Sequence, residues 1–221
     1  MAASHPYYPT SMELPGFVPA FLSQGYILGV FTAVTAVVFA IGWIVSGTRK
    51  YLTTLERLLV CWWLCTGLIH VVLEGYFVFT PDFYKLGYSN FLAEVWKEYG
   101  LADSRYPGRD TTVVLIEGIT AVFEGPAALL AVYAILYRKP YSHPIQLATS
   151  LGQLYGSVVY YATAYFSEHE LAIPGAIYFW GYFVFMNSIW IVIPILICIR
   201  SWNRICEAQA GSSNVPTKKR N

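Results

Sequence analysis

Charge is scarce in this sequence. Asp, Glu, Lys and Arg supply 12% of its 221 residues, about half of the ~25% usual in soluble domains. A water-soluble globule with an ordinary charged surface is therefore excluded. The net charge of +1 is too small for the basic footprint that a nucleic-acid partner requires. Cysteine is sparse too. Cys61, Cys65, Cys198 and Cys206 lie in or beside apolar runs, with neither zinc-type spacing nor a secreted disulfide pattern, and read as buried thiols. The first 25 residues contain no Lys or Arg, so they lack the charged n-region of a cleavable signal peptide. Missing as well are a Ser-His-Asp set, a glycine-rich phosphate loop and a metal-type cluster.

What is plentiful is apolar. Hydrophobic residues make up 56% of the chain and aromatics 17%, with 18 Tyr and 7 Trp, and the mean hydropathy is +0.48. A membrane crossing needs about 20 mainly apolar residues. Five runs meet that length: Tyr26 to Ser46, Leu58 to Thr80, Thr112 to Tyr137, Ile145 to Phe166 and Ala176 to Ile199. The expectation is an all-α integral membrane bundle of five transmembrane helices over residues 26–200. A non-cytosolic segment (1–25) precedes it and a basic cytosolic tail (201–221) follows. The one long connection, Pro81 to Asp110, is rich in Tyr, Trp and charge, and a loop of that length beside a small bundle is usually functional or partly structured.

Orientation follows from the basic residues near the spans. The side holding the N-terminus carries four Lys and Arg, the side holding the C-terminus ten, which puts the C-terminus in the cytosol. The chain ends Lys218-Lys219-Arg220-Asn221. Lysines third and fourth from the end resemble the dilysine retrieval signal of endoplasmic reticulum membrane proteins; a solvated basic tail attracted to anionic lipid is the alternative.

The informative residues are those that a bilayer penalises. His70 and Glu74 in the second span are four apart and share a helical face. Glu117, Thr120 and Glu124 in the third share a face at spacings of three, four and seven. The fourth span carries Gln153 and a series of tyrosines, and the fifth carries Asn187 and Trp190, three apart. Each acidic residue at a helix centre costs roughly 2.5–3.5 kcal/mol on the insertion scale, so these groups must face one another or a cavity. At ~1.5 Å rise per residue, Glu74 and Glu117 lie at similar depth below the non-cytosolic face. One polar pocket there is the economical arrangement. A carboxyl in an apolar site beside an imidazole suits proton transfer, and aromatic faces suit a transient cation. From spacing alone, catalysis, passive binding and hydrogen-bonded helix packing all remain open.

Five stretches carry a resemblance: Gly67-Leu-Ile-His70-Val-Val-Leu-Glu74-Gly-Tyr-Phe-Val78; Trp96-Lys-Glu-Tyr99 with Asp103-Ser-Arg-Tyr106; Glu117-Gly-Ile-Thr120; Gly152-Gln-Leu-Tyr-Gly156; and Tyr182-Phe-Val-Phe-Met-Asn187-Ser-Ile-Trp190. In that order the chain resembles the emopamil-binding protein (EXPERA-like) family, the sterol Δ8-Δ7 isomerases of the endoplasmic reticulum, and most closely its plant members. The resemblance implies five helices around a sterol cavity and a cofactor-free double-bond shift: protonation at C9, a cation at C8, loss of a proton from C7. It implies His70 with Glu74 as the proton-donating couple, Glu117 as base or cation stabiliser, Thr120 beside it, Asn187 as the amide orienting the imidazole, and Trp190 as the ring facing the cation. Tyr155 is expected to contact the substrate. Sterol, cationic amphiphilic inhibitors and the bilayer are the implied partners, and a non-catalytic receptor for sterols or cationic amphiphilic amines is the alternative function. Glu124, where the family is apolar, either extends the pocket or binds backbone groups freed by Pro126. Gly152 and Gly156 form either a homodimer seam or close packing within one bundle.

Overall fold

The computed structural model describes residues 5–87, 89–167 and 170–213, and among these the regular structure is entirely helical. The helices are α1 (Gln24–Gly47), α2 (Thr54–Phe79), α3 (Phe91–Tyr99), α4 (Thr111–Leu136), α5 (Ser142–Tyr165) and α6 (Ile177–Gly211). Helices α1, α2, α4 and α6 are long and apolar enough to cross a membrane. Five such helices were expected. The remaining one, α5, has 24 residues, but it spends buried positions on Gln146, Thr149, Ser150 and Gln153, so its composition falls short of an apolar crossing. The terminal Lys218 and Lys219 lie outside the described residues.

Polar caps set where the helices begin. The Ser23 side chain accepts from the Tyr26 amide at the start of α1, and Thr53 and Glu56 form a reciprocal capping box on α2. Asn90 caps α3 and Asp110 caps α4. Each cap satisfies a backbone donor that the first helical turn leaves unpaired.

Three stretches are wound as π-helix: Ile69–Glu74 in α2, Thr120–Glu124 in α4 and Ile177–Met186 at the start of α6. A π turn bonds i to i+5 and advances fewer degrees per residue than an α turn, so it shifts the facing of everything beyond it; such turns are frequent at functional sites. All three border the residues that the sequence singles out.

Two apolar clusters bracket that region. One joins the N-terminal segment, the long connection and the ends of α2 and α4 through Tyr7, Phe17, Phe77, Phe83 and Trp96. The other joins α2, α4 and α6 through Leu59, Trp63, Ala128, Ala131 and Ile197. The long connection is structured, as its composition suggested. Pro6, Pro9, Pro15 and Pro19 deny residues 5–23 a helix, and these residues pack on the connection as a run of bends and turns instead. The Val18 amide donates to the Tyr84 carbonyl at 3.0 Å, and the Phe21 and Leu22 amides donate to Glu94 Oε2 at 2.5 and 2.9 Å. Lys97 pairs with the same carboxylate at 3.0 Å, with both side chains fully buried.

Candidate functional site

Between the two clusters lies a hollow bounded by α1, α2, α3, α4, α5 and α6. His70, Glu74, Glu117, Thr120, Asn187 and Trp190 all line it. Residues from three different helices therefore converge as the spacing required.

The polar groups form a chain along one wall. His70 Nδ1 lies 2.6 Å from Glu74 Oε2, and His70 Nε2 lies 3.0 Å from the Gln153 amide nitrogen. The Thr120 hydroxyl donates to the same Glu74 oxygen from α4. One turn earlier on α4, Glu117 accepts a hydrogen bond from the Tyr106 hydroxyl at 2.5 Å. His70 and Glu117 are both buried. The Trp190 ring stands 6.2 Å from the His70 ring, centroid to centroid. An imidazole flanked by a carboxylate, with a second carboxyl next along the same wall of an apolar hollow, offers both a proton donor and a proton acceptor to a bound molecule.

The long connection supplies the adjoining wall, where the Trp96 indole donates to the Leu73 carbonyl at 3.0 Å. Trp96 and Tyr106 stack at 4.9 Å, and Tyr99 meets Tyr106 edge-on at 5.0 Å. Burial pushes the Tyr106 phenol well above its ordinary pKa, and the neighbouring Glu117 charge adds to that, so Tyr106 stands as a neutral donor. Tyr99 is raised in the same direction, chiefly by burial. Asp103 and Arg105 anchor this wall to α5: their ion pair closes at 2.6 Å, Arg105 donates to the Tyr160 carbonyl at 3.0 Å and the Tyr160 hydroxyl donates to Asp103 at 2.6 Å.

Three expectations need correction. Tyr155 does not reach the hollow. It is 74% exposed, because two residues along α5 from the inward Gln153 is about half a turn. Glu124 is buried but is not part of the lining. The π turn over Thr120–Glu124 carries it off the face that Glu117 and Thr120 share, and it bonds no freed backbone group either, since its Oε2 is buried without a hydrogen-bond partner. Asn187 does not touch the imidazole: its amide donates to the Tyr99 hydroxyl at 2.9 Å and to the Phe183 carbonyl at 2.8 Å. The amide on His70 belongs to Gln153. Of the two readings of Gly152 and Gly156, close packing within the bundle holds at Gly152, where a side chain would collide with Glu124 of α4.

Gln153, noted in the sequence as an intramembrane amide, lines the hollow, as do Tyr106 and Glu98, whose side chains the spacing did not single out. Glu98 accepts from the Gln24 amide at 2.9 Å and from the Tyr182 hydroxyl at 3.3 Å, tying α1 and α6 to α3 at the rim. The sequence signal for Gln153 was present, an amide between two small residues in an apolar helix. The signal for Tyr106 and Glu98 was only the aromatic richness of the connection.

Comparison with known proteins matches residues 91–201 to the EBP family model, described as EXPERA (EXPanded EBP superfamily). Across 216 residues the chain is 48% identical to a probable 3-beta-hydroxysteroid-Delta(8),Delta(7)-isomerase of Arabidopsis thaliana, over 97% of this chain and 96% of that one. A rice protein of the same name is 49% identical over 97% of both chains. An isomeliandiol synthase of Melia azedarach is 44% identical over 75% of this chain and 77% of its own.

Proposed function

This chain belongs to the EBP family, the EXPanded EBP (EXPERA) superfamily, and on that ground we propose that it is a sterol isomerase that moves the Δ8 double bond to Δ7. An acid adds a proton to C9, and the alkene electrons form the new C–H bond, leaving a tertiary cation at C8. A base then takes a proton from C7, and that C–H pair becomes the C7–C8 double bond. The steps sum to no net proton or electron change. His70 with Glu74 is the proton-donating couple, Glu117 is the base or the stabiliser of the cation, and Trp190 offers its ring face to the positive charge. Gln153 and Thr120 hold the couple in place, while Asn187 fixes Tyr99 on the adjoining wall.

The observation that carries this reading is the meeting of His70, Glu74 and Glu117 on one apolar-walled hollow, with Thr120 joining α2 to α4. Its walls are largely apolar and aromatic, with Ile27, Phe31, Leu73, Ile116 and Met186 among them, which suits the rings of a sterol. The same apolar walls and carboxylates suit cationic amphiphilic amines, which are expected to compete with the sterol. In the membrane, α5 is the fifth crossing, its polar face turned inward, with residues 1–25 non-cytosolic and residues 201–221 cytosolic. The excess of basic residues on the C-terminal side supports that orientation, and the terminal lysines support residence in the endoplasmic reticulum. A homodimer would have to use a face other than that of Gly152.

Complementation of an isomerase-deficient yeast tests the assignment. The wild-type chain should restore Δ7 sterols, whereas Glu74→Gln and Glu117→Gln should not at equal membrane levels. Full rescue by both variants would remove the roles given to these carboxyls. A wild-type protein that binds a cationic amphiphile yet converts no Δ8 sterol would instead be a receptor.

A further inference from the structure

Glu124 is an acidic side chain for which the proposed reaction has no use. It is nine-tenths buried, it lies outside the hollow, and its Oε2 has no hydrogen-bond partner among the described residues. Its other oxygen fills the space over Gly152, where even a methyl group would overlap it. Gly152 directly precedes Gln153. The Gln153 Oε1 is likewise buried with no partner, while its amide nitrogen faces His70 Nε2. Two acceptors thus stand orphaned on the side of His70 away from Glu74, and leaving a buried acceptor unmade costs about 1–3 kcal/mol each.

The two orphans have one remedy in common. With the amide nitrogen toward His70, Nε2 of the ring must accept, so the imidazole is neutral and its single proton lies on Nδ1 beside Glu74. Turn the amide end for end and Oε1 accepts from a protonated Nε2, while the amide nitrogen is freed to donate on the Glu124 side. With Glu74 ionised, Nδ1 keeps its proton as well, and the ring is then an imidazolium. We propose that Glu124 is a positioning residue, the distal acceptor of a Glu124, Gln153, His70, Glu74 relay whose turned state holds His70 as the cation that delivers the proton. This rests on the isomerase reading above and assigns Glu124 a part in it. The ionisable groups around the imidazole are consistent with that role. They are Glu74 from α2 itself, Glu117 and Glu124 from α4, and Glu98, Tyr99 and Tyr106 from α3 and the connection; Gly125, directly after Glu124, packs so closely on His70 that a side chain there would meet the His70 Cβ at 3.1 Å. The packed faces of α5 and α6 bring Gln153 and Trp190 to it, both uncharged, with Tyr160 and Tyr161 further along the same hollow.

The test is the pH dependence of turnover in lipid nanodiscs. Glu124→Gln should lower kcat about tenfold, within the range of general-acid effects, with KM unchanged. It should also move the alkaline limb of the kcat profile to lower pH, because loss of the carboxylate weakens the hold on the imidazolium proton. Glu124→Asp should return the limb toward its original position. A limb that stays in place in Glu124→Gln would overturn the proposal, since a merely structural role changes yield and not the profile. Should Glu124→Gln fail to accumulate, ¹⁵N solid-state NMR of the wild-type chain decides the matter. Both His70 nitrogens protonated at neutral pH is the expected result, and a neutral ring is the contrary one. That spectrum is read without turnover, so an absence of Δ8 sterol conversion would remove the isomerase reading while the relay is judged separately.

Discussion

Thr120 shows how much a single hydroxyl can carry at the residue scale. It reaches from α4 to the Glu74 oxygen that also bonds His70, so it fixes the carboxylate from the side opposite the ring. Thr120→Val keeps the shape and removes the donor. The loss of such a bond at a buried charged acceptor, about 1–3 kcal/mol, corresponds to roughly a tenfold to hundredfold fall in kcat, and Thr120→Ser should keep most of the activity. Steady-state kinetics on the purified variants check both. The couple His70 and Glu74 could be read directly from the sequence, because two ionisable groups four apart in an apolar run have a shared face and a shared cost. The partner of His70 could not be read that way. Asn187 and Gln153 are both intramembrane amides, and only the packing of α5 against α2 decides which one meets the ring.

The helices themselves explain the other departures. An α-helical count puts Glu117, Thr120 and Glu124 on one stripe, and the first two do line the hollow. The π turn that begins at Thr120 then swings Glu124 away from them. Nothing in the local composition announces that turn, whose existence depends on the fit between α2 and α4, each carrying its own π segment at the same level. Deleting Val122 should remove the extra residue and let α4 continue as α-helix. Helix content by circular dichroism should then be nearly unchanged, while turnover falls by about a hundredfold, since small misplacements of reacting groups cost that much. Turnover close to wild type after the deletion would show that the π winding is incidental. For α5 the run has the length of a crossing, while its buried Gln146, Thr149 and Gln153 lower its apolar character below that of the other four long helices.

Across the whole molecule, residues 5–23 and the long connection close one end of the bundle, and Glu94 is where they meet. Burial alone would raise its carboxyl, but the amides of Leu22 and Phe21 together with Lys97 hold it below the ordinary carboxylate range. A depressed folded value means that its contribution is present above about pH 4 and is lost as the pH falls through that lower value. Hydrogen exchange at the Phe21 and Leu22 amides should therefore accelerate in acid, and in Glu94→Gln it should be fast at every pH. Glu94→Ala leaves Lys97 buried and unpaired, an error worth about 3–5 kcal/mol, visible as a lowered thermal midpoint in detergent. The aromatic, charge-bearing composition of the connection foretold that it would be structured. Its docking partner, the proline-rich segment before α1, carries no periodicity from which a contact some seventy residues away could be inferred.

Conversion of a Δ8 sterol in heavy water puts the proposed chemistry to its plainest trial. If His70 and Glu74 deliver a solvent-exchanged proton to the alkene, the Δ7 product carries deuterium at C9, and Glu74→Gln abolishes both product and label. A Δ7 product formed with no deuterium at C9 would contradict proton addition there, whatever else the hollow binds.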